Sequence, residues 1–108
     1  ATCDKIKTPK RSDFSTHVFH QYTLKINGVN RDTLHAFLNE NSIPNAIYYP
    51  VPLHQQEAYK HFKFDKNNLS VTKKLCETVI SLPMHTELEL DQLEHITKTV
   101  LKFIKENE

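Results

Sequence analysis

Seven histidines are the first candidates for chemistry in this 108-residue chain, because imidazole both carries protons and binds metals. His17 and His20 are three positions apart, and a strand sends side chains at odd spacing to opposite faces, so these two cannot share an ion there. His54 and His61 could share a helix face, but we expect a loop to begin between them. No three candidate ligands show the spacing of a zinc site, so the sequence predicts no metal centre and favours surface or hydrogen-bonded histidines.

Nucleophilic catalysis has as little support. Cys3 and Cys76 are far apart and form no C-x-x-C pair, and Cys76 falls within an apolar helical stripe, which favours a packed side chain over a nucleophile. The chain has no G-x-S-x-G motif, and its one glycine, Gly28, excludes a glycine-rich cradle for a cofactor. The sequence therefore predicts no catalytic residue, and two cysteines with no disulfide pattern indicate a reducing, cytoplasmic setting.

A pair of adjacent tyrosines is the strongest remaining candidate. Tyr48 and Tyr49 precede Pro50 and Pro52, which lack the amide that a central strand needs and so end the predicted strand. Neighbouring residues on a strand face opposite sides. Residue chemistry leaves two interpretations open: one ring packs in the core while the other covers the sheet, or the strand end presents a phenol to a ligand. On this basis alone, packing is favoured.

The elements that position these residues follow from the hydrophobic pattern. Residues 1–15 are polar and read as an extended lead-in to a domain that covers residues 16–108. Alternation from His17 to Ile26 predicts a first strand, and the turn residues Asn27 and Gly28 end it. Two further strands are predicted, one just before Pro50 and one at 80–84. Helical spacing and capping residues predict four helices, at about 31–43, 54–60, 71–79 with Ser70 as the N-cap, and 90–105, and a loop at 61–69.

Three short, mainly antiparallel strands covered by about four helices make a small two-layer α/β (α+β) domain. Fourteen basic and thirteen acidic side chains nearly cancel, which argues against nucleic acid or an anionic membrane as a partner. No apolar stretch approaches the roughly 20 residues that span a bilayer. Composition therefore indicates a soluble, cytoplasmic protein of one domain.

Four short runs lie in order along nearly the whole chain. They are H-V-F-H-Q-Y at 17–22, N-R-D-T-L at 30–34, Y-Y-P-V-P-L-H at 48–54 and S-L-P-M-H at 81–85. Together they resemble the carboxy-terminal small domain of the DegT/DnrJ/StrS family of sugar aminotransferases. The chain also begins without Met and reads as sequence from within a protein, so we expect a fragment.

The resemblance implies an aspartate-aminotransferase-like enzyme that moves an amino group from L-glutamate to a keto group of a nucleotide-linked sugar, for polysaccharide or secondary-metabolite biosynthesis. In that family pyridoxal phosphate is held by a lysine of a large domain that this chain does not contain. The fragment is therefore expected to bind no cofactor and to be inactive alone. Its expected partners are that large domain and the second subunit of a homodimer, with no nucleic acid and no membrane.

The resemblance also assigns substrate-binding residues. Tyr48, Tyr49 and His54 are expected to face the nucleotide sugar, with Tyr49 as the general contact and Tyr48 as the position that selects the sugar. Two other functions stay open. The chain could be a free-standing ligand-binding or protein-interaction module with a similar small α/β fold, or a small nucleic-acid-binding domain, which its charge balance disfavours.

Overall fold

The computed structural model describes residues 3–107, apart from the side chains of residues 66 and 67. Within residues 3–107, three strands and three α-helices form the fold, with three single-turn 3₁₀ helices between α1 and α2. In chain order the elements are β1 (Ile6–Lys7), β2 (Tyr22–Ile26), α1 (Arg31–Glu40), the 3₁₀ helices Leu53–Gln55, Glu57–Tyr59 and Lys66–Leu69, α2 (Ser70–Thr78), β3 (Val79–Leu82) and α3 (Leu90–Glu106).

The sheet is antiparallel, with β2 between β1 and β3. Because side chains alternate along a strand, Leu24 and Ile26 of β2 face one side together and are almost fully buried. Ile80 of β3 pairs with Leu24 and is equally buried. This face of the sheet forms one wall of the core.

Helix α1 begins where the sequence predicts. The side chain of Asn30 accepts a hydrogen bond from the backbone N–H of Thr33 at 2.9 Å, which satisfies one of the free amides at the helix start. Leu34 and Leu38 are one helical turn apart and are both completely buried, so the helix packs this face against the core. The helix ends at Glu40, ahead of Pro44.

Helix α3 supplies the other apolar face. Glu89 and Gln92 form a capping box at its start, in which each side chain accepts from the other residue's backbone N–H. Its buried residues Ile96, Val100, Phe103 and Ile104 complete the core cluster with α1 and the sheet. Burying a side chain of this size contributes about 1.5–3 kcal/mol, so these contacts hold the two layers together. The predicted two-layer α/β (α+β) class is confirmed.

The predicted first strand is too long. It begins at Tyr22 and not at residue 17, because Leu82, the partner of Tyr22, is followed by Pro83, which has no N–H to continue the ladder. Before that point Val18 is 88% exposed and Phe19 has a φ of 49°, outside the extended region.

The predicted strand before Pro50 is wrong. Only Ala46 pairs there, in an isolated bridge with Ser81, and the residues from 47 to 52 have no regular structure. The expected lead-in, by contrast, contains strand β1, in which Ile6 pairs with Ile26. A two-residue strand has too few positions to show an alternating pattern, so β1 is recognised only by its pairing with β2.

Two helix predictions also need correction. The single helix expected at 54–60 is two 3₁₀ helices, separated at Gln56, whose backbone is extended. The expected loop at 61–69 ends in a third 3₁₀ helix, which leads directly into α2. Ser70 is the first residue of α2 and not its N-cap, which is Leu69. Within residues 3–107 no helix is both long and apolar enough to cross a bilayer.

Candidate functional site

A groove of about 290 Å³ brings three of the four sequence motifs together. The first motif contributes His20 and Gln21, and the third contributes Tyr48. The fourth contributes the run from Ser81 to Met84. We call this cavity the Tyr48 groove. Residues that are distant in sequence, but belong to three of the four motifs, therefore line one surface.

A short backbone bridge positions Tyr48. The backbone N–H of Ser81 donates to the carbonyl oxygen of Ala46 at 2.7 Å, and the N–H of Ala46 donates to the carbonyl of Ser81 at 3.1 Å. These two bonds fasten the chain to β3 two residues before Tyr48. On the sheet face beside the groove, the hydroxyls of Thr23 and Ser81 share a hydrogen bond of 2.8 Å, so Ser81 is already engaged.

Asn45 forms another wall of the groove, and its side chain is held from three directions. Its Nδ2 donates to the carbonyl of Ile43 at 3.0 Å and to Oδ1 of Asn39 at 2.9 Å. Its Oδ1 lies in hydrogen-bonding contact with Nδ1 of His35. Fixed polar groups keep a binding surface preorganised, because little side-chain freedom remains to be lost when a ligand binds.

The two predicted tyrosines are adjacent but differ in surroundings. Tyr48 lines the groove and is 44% exposed, whereas Tyr49 lies outside the groove lining and is 69% exposed. Their ring centroids are 5.6 Å apart in an edge-to-face arrangement. The expectation that they point to opposite faces of a strand is wrong, because no strand exists there. A cis peptide bond joins them.

His54, the third predicted residue, lines a different cavity. This cavity of about 560 Å³ lies between the first 3₁₀ helix, the following loop and the start of α2. We call it the lysine pocket. Its charged and aromatic lining residues are His54, Lys60, Phe62, Phe64 and Lys73. The structure thus brings Tyr48 and Tyr49 together but assigns His54 to separate surroundings.

Rings form one side of the lysine pocket. The imidazole of His54 meets the ring of Phe64 edge to face, with centroids 5.9 Å apart. Phe62 follows at 6.2 Å from Phe64. The buried Pro52 holds the chain just before this segment. Sequence reasoning missed the pocket, although Lys73 and Lys74 form an adjacent basic pair in the sequence.

Arg31, in the second motif, has a structural role that sequence reasoning missed. Its side chain is only 7% exposed, and its Nη1 donates to the carbonyl oxygens of Cys76 at 2.9 Å and Val79 at 2.8 Å. Its Nε donates to Asp32 at 2.7 Å. A cation at the carboxyl end of α2 also suits the helix dipole. Arg31 therefore ties the start of α1 to the junction of α2 and β3, the two elements that carry Lys73 and Ser81.

The part of the chain that the structure describes contains no cluster of metal ligands. There, no group of three or more histidine, cysteine, aspartate or glutamate side chains is arranged to hold an ion. His35 and His95 are instead hydrogen-bonded, to Asn45 and to the backbone carbonyl of Asn41 respectively.

Comparison with known proteins gives consistent matches. A model of the DegT/DnrJ/EryC1/StrS aminotransferase family matches residues 1–101. A pleiotropic regulatory protein of Geobacillus stearothermophilus is 36% identical over 105 residues, covering 97% of this chain and 28% of that protein. The UDP-N-acetyl-3-dehydro-alpha-D-glucosamine 3-aminotransferase of Acidithiobacillus ferrooxidans is 39% identical over 84 residues, covering 78% of this chain and 22% of that protein.

Solved structures agree with the fold. A DegT DnrJ EryC1 StrS aminotransferase from Brucella abortus superposes with a TM-score of 0.81 at 34% identity, over 93% of this chain and 26% of that one. The chain therefore spans about a quarter of the length of the relatives and structures that it matches.

Proposed function

This chain belongs to the DegT/DnrJ/EryC1/StrS aminotransferase family, and we propose that it is the carboxy-terminal small domain of an enzyme that aminates a nucleotide-linked sugar. In this proposal residues 16–108 form the body of the domain, β1 of the lead-in completes its sheet, and L-glutamate is the amino donor. The observation that carries the proposal is the Tyr48 groove, where three of the four motifs meet on one surface. The product would serve polysaccharide or secondary-metabolite biosynthesis.

The groove suits a sugar. The phenol of Tyr48 can exchange hydrogen bonds with sugar hydroxyls, and Oδ1 of Asn45, which already contacts His35, can accept one further hydrogen bond. Leu82 and Met84 give it an apolar floor for the ring carbons. The groove thus combines polar and apolar surface, and a few fixed polar groups are what orient a small ligand in its site.

Pyridoxal phosphate would have to be held elsewhere. When bound, this cofactor supplies an electron sink for the amino transfer. The Tyr48 groove has neither a lysine nor a carboxylate among its lining residues, so it lacks both the imine-forming amine and a partner for the pyridine nitrogen. The residues of this groove do not fit the cofactor, and we propose that a large domain outside this chain holds it.

Exposed apolar side chains support a domain partner. Tyr49, Val51 and Leu53 follow one another beyond the groove and are 69%, 46% and 60% exposed. Large apolar side chains that are exposed this close together in sequence are candidates for an interface. We propose that these side chains contact the large domain or the second subunit of a cytoplasmic homodimer.

The name of the Acidithiobacillus relative suggests the substrate class. That protein is named for a UDP-linked 3-dehydro sugar. We propose a UDP-linked 3-keto sugar for this chain as well, with Tyr48 as the position that contacts it.

A chimera tests the proposal. In it, the 84 residues of this chain that match the Acidithiobacillus enzyme replace their counterparts in that enzyme, and amino transfer from L-glutamate to the UDP-linked 3-keto sugar is measured. We expect transfer, together with a loss of transfer in the same chimera carrying Tyr48→Ala. A folded chimera that shows the absorbance of bound pyridoxal phosphate but transfers no amino group would contradict the proposed function.

A further inference from the structure

We infer that the lysine pocket is a second ligand site, which binds a nucleoside diphosphate through its phosphates and its base. The inference rests on the proposed function only in naming the source, since a nucleotide sugar carries such a group. The pocket itself has a volume of about 560 Å³, within the usual range of roughly 300–1,000 Å³ for sites that hold small molecules.

Charge around this pocket favours an anion. Between residues 54 and 74 the sequence has five lysines and only two carboxylates, a formal charge of +3 in a chain whose total is +1. The remainder of the chain is therefore net negative. Two of these lysines and no carboxylate line the pocket itself, and a concave site lined by charge of one sign attracts ions of the opposite sign, such as phosphate groups.

Two lysines of this segment, Lys60 and Lys73, line the pocket. Lys73 comes from α2 and has no hydrogen bond or ion pair with any described residue, so its ammonium group is available. Lys60 pairs with Glu57, and both side chains are largely exposed. Exposed pairs of this kind contribute little, so a phosphate can compete for Lys60.

Aromatic rings beside the lysines favour a base over a bare phosphate. Phe62 and Phe64 are 62% and 42% exposed, which leaves ring surface free next to the cations. Any nucleic-acid base can stack on such a ring, and a positively charged groove beside the rings holds the phosphates. The combination of rings and ammonium groups matches a nucleotide better than inorganic phosphate.

The position of the pocket also suits one extended ligand. Tyr48 of the first groove and His54 of the pocket are six positions apart, so their Cα atoms lie at most about 22 Å from each other. A nucleotide sugar carries its base, diphosphate and sugar in a row. The sugar can occupy the Tyr48 groove while the nucleotide reaches toward the pocket.

Titration of the chain with UDP tests the site. We expect UDP to shift the ¹H–¹⁵N resonances of Lys73, Phe64 and His54, and uridine to shift them far less. Lys73→Ala should weaken UDP binding about fivefold, as for one lost exposed charge contact. Lys74→Ala is the matched control, because Lys74 is the next residue of the same exposed helix and does not line the pocket. It should change the affinity less than twofold.

A second variant separates stacking from charge. Phe64→Leu keeps apolar volume but removes the ring, and we expect at least about a fivefold loss of UDP affinity with little change in the binding of inorganic pyrophosphate. If UDP shifts no resonance of the pocket, or if Lys73→Ala and Lys74→Ala weaken binding equally, the site does not exist as described.

The chimera distinguishes the two proposals. In an active chimera, Lys73→Ala should raise KM for the UDP-linked sugar and leave kcat unchanged. If the chimera is active but UDP does not bind the pocket, this inference is wrong and the aminotransferase proposal stands. If UDP binds the pocket but the chimera is folded and inactive, the nucleotide site stands and the proposed reaction is wrong.

Discussion

The guanidinium group of Arg31 hydrogen-bonds the backbone carbonyl of Val79 at 2.8 Å, across 48 positions of sequence. The same nitrogen also reaches the carbonyl of Cys76. Val79 opens β3, which carries Ser81, and Cys76 lies near the end of α2, which carries Lys73. One buried side chain thus positions elements of both cavities without lining either.

Replacing Arg31 with Ala should destabilise the fold by about 2–4 kcal/mol, because two carbonyl oxygens lose charge-assisted bonds in a buried place. The free energy of unfolding in urea measures this change, with an unchanged m-value expected. Asp32→Asn is the control, since Asp32 is 73% exposed and its ion pair should contribute less than about 1 kcal/mol. Equal losses in the two variants would show that the ion pair, and not the carbonyl contacts, carries the effect.

Truncating Leu34 to Ala should cost about 2–5 kcal/mol, since the side chain is completely buried between α1 and the sheet and its removal leaves a cavity. Leu101→Ala, at a site that is 47% exposed, should cost less than about 1 kcal/mol. Thermal unfolding followed by circular dichroism compares the two. A loss at Leu101 as large as that at Leu34 would place the core elsewhere.

Substituting Gly28 tests backbone conformation. Its φ is 73°, and the nearest atom to a Cβ added there is in the side chain of Lys5, at 3.8 Å. Gly28→Ala should therefore cost about 1–2 kcal/mol for the left-handed conformation and nothing for a clash. Gly28→Asn should cost less, because asparagine tolerates this region. If Asn and Ala lower the midpoint of urea unfolding equally, the conformational explanation fails.

Removing single hydroxyls distinguishes the two tyrosines. In the active chimera, Tyr48→Phe should raise KM for the UDP-linked sugar by about three- to tenfold, the effect of one lost hydrogen bond. Tyr49→Phe should change it less than about twofold, because Tyr49 lies outside the groove lining. The opposite ranking would support the assignment made from sequence, with Tyr49 as the general contact.

Elements that depend on neighbours in sequence were predicted well. Asn30 caps α1 as its residue type and position indicate, and the apolar stripe from Leu93 onward follows α3. Gly28 ends β2 in a turn, as its lack of a side chain allows. Four motifs in order were sufficient to identify the family.

Elements that depend on distant partners were not. The start of β2 is set by Pro83 across the sheet, and β1 exists because Ile6 meets Ile26. The segment around Tyr48 resembles a strand in composition, but only Ala46 finds a partner. The partners of Arg31 are backbone carbonyls, which have no residue type to recognise. The two cavities are also lined by residues from distant segments, so residue spacing alone could not predict them.

The uneven charge between residues 54–74 and the remainder of the chain also affects the rate of encounter with a ligand. A molecule with a net charge of only +1 can still draw an approaching anion toward a segment in which its positive charge is concentrated. Such steering raises the association rate constant and weakens as salt shortens the Debye length, about 10 Å at 0.1 M. Dissociation depends on the contacts made afterwards, so salt should slow the arrival of a nucleotide more than it hastens its departure.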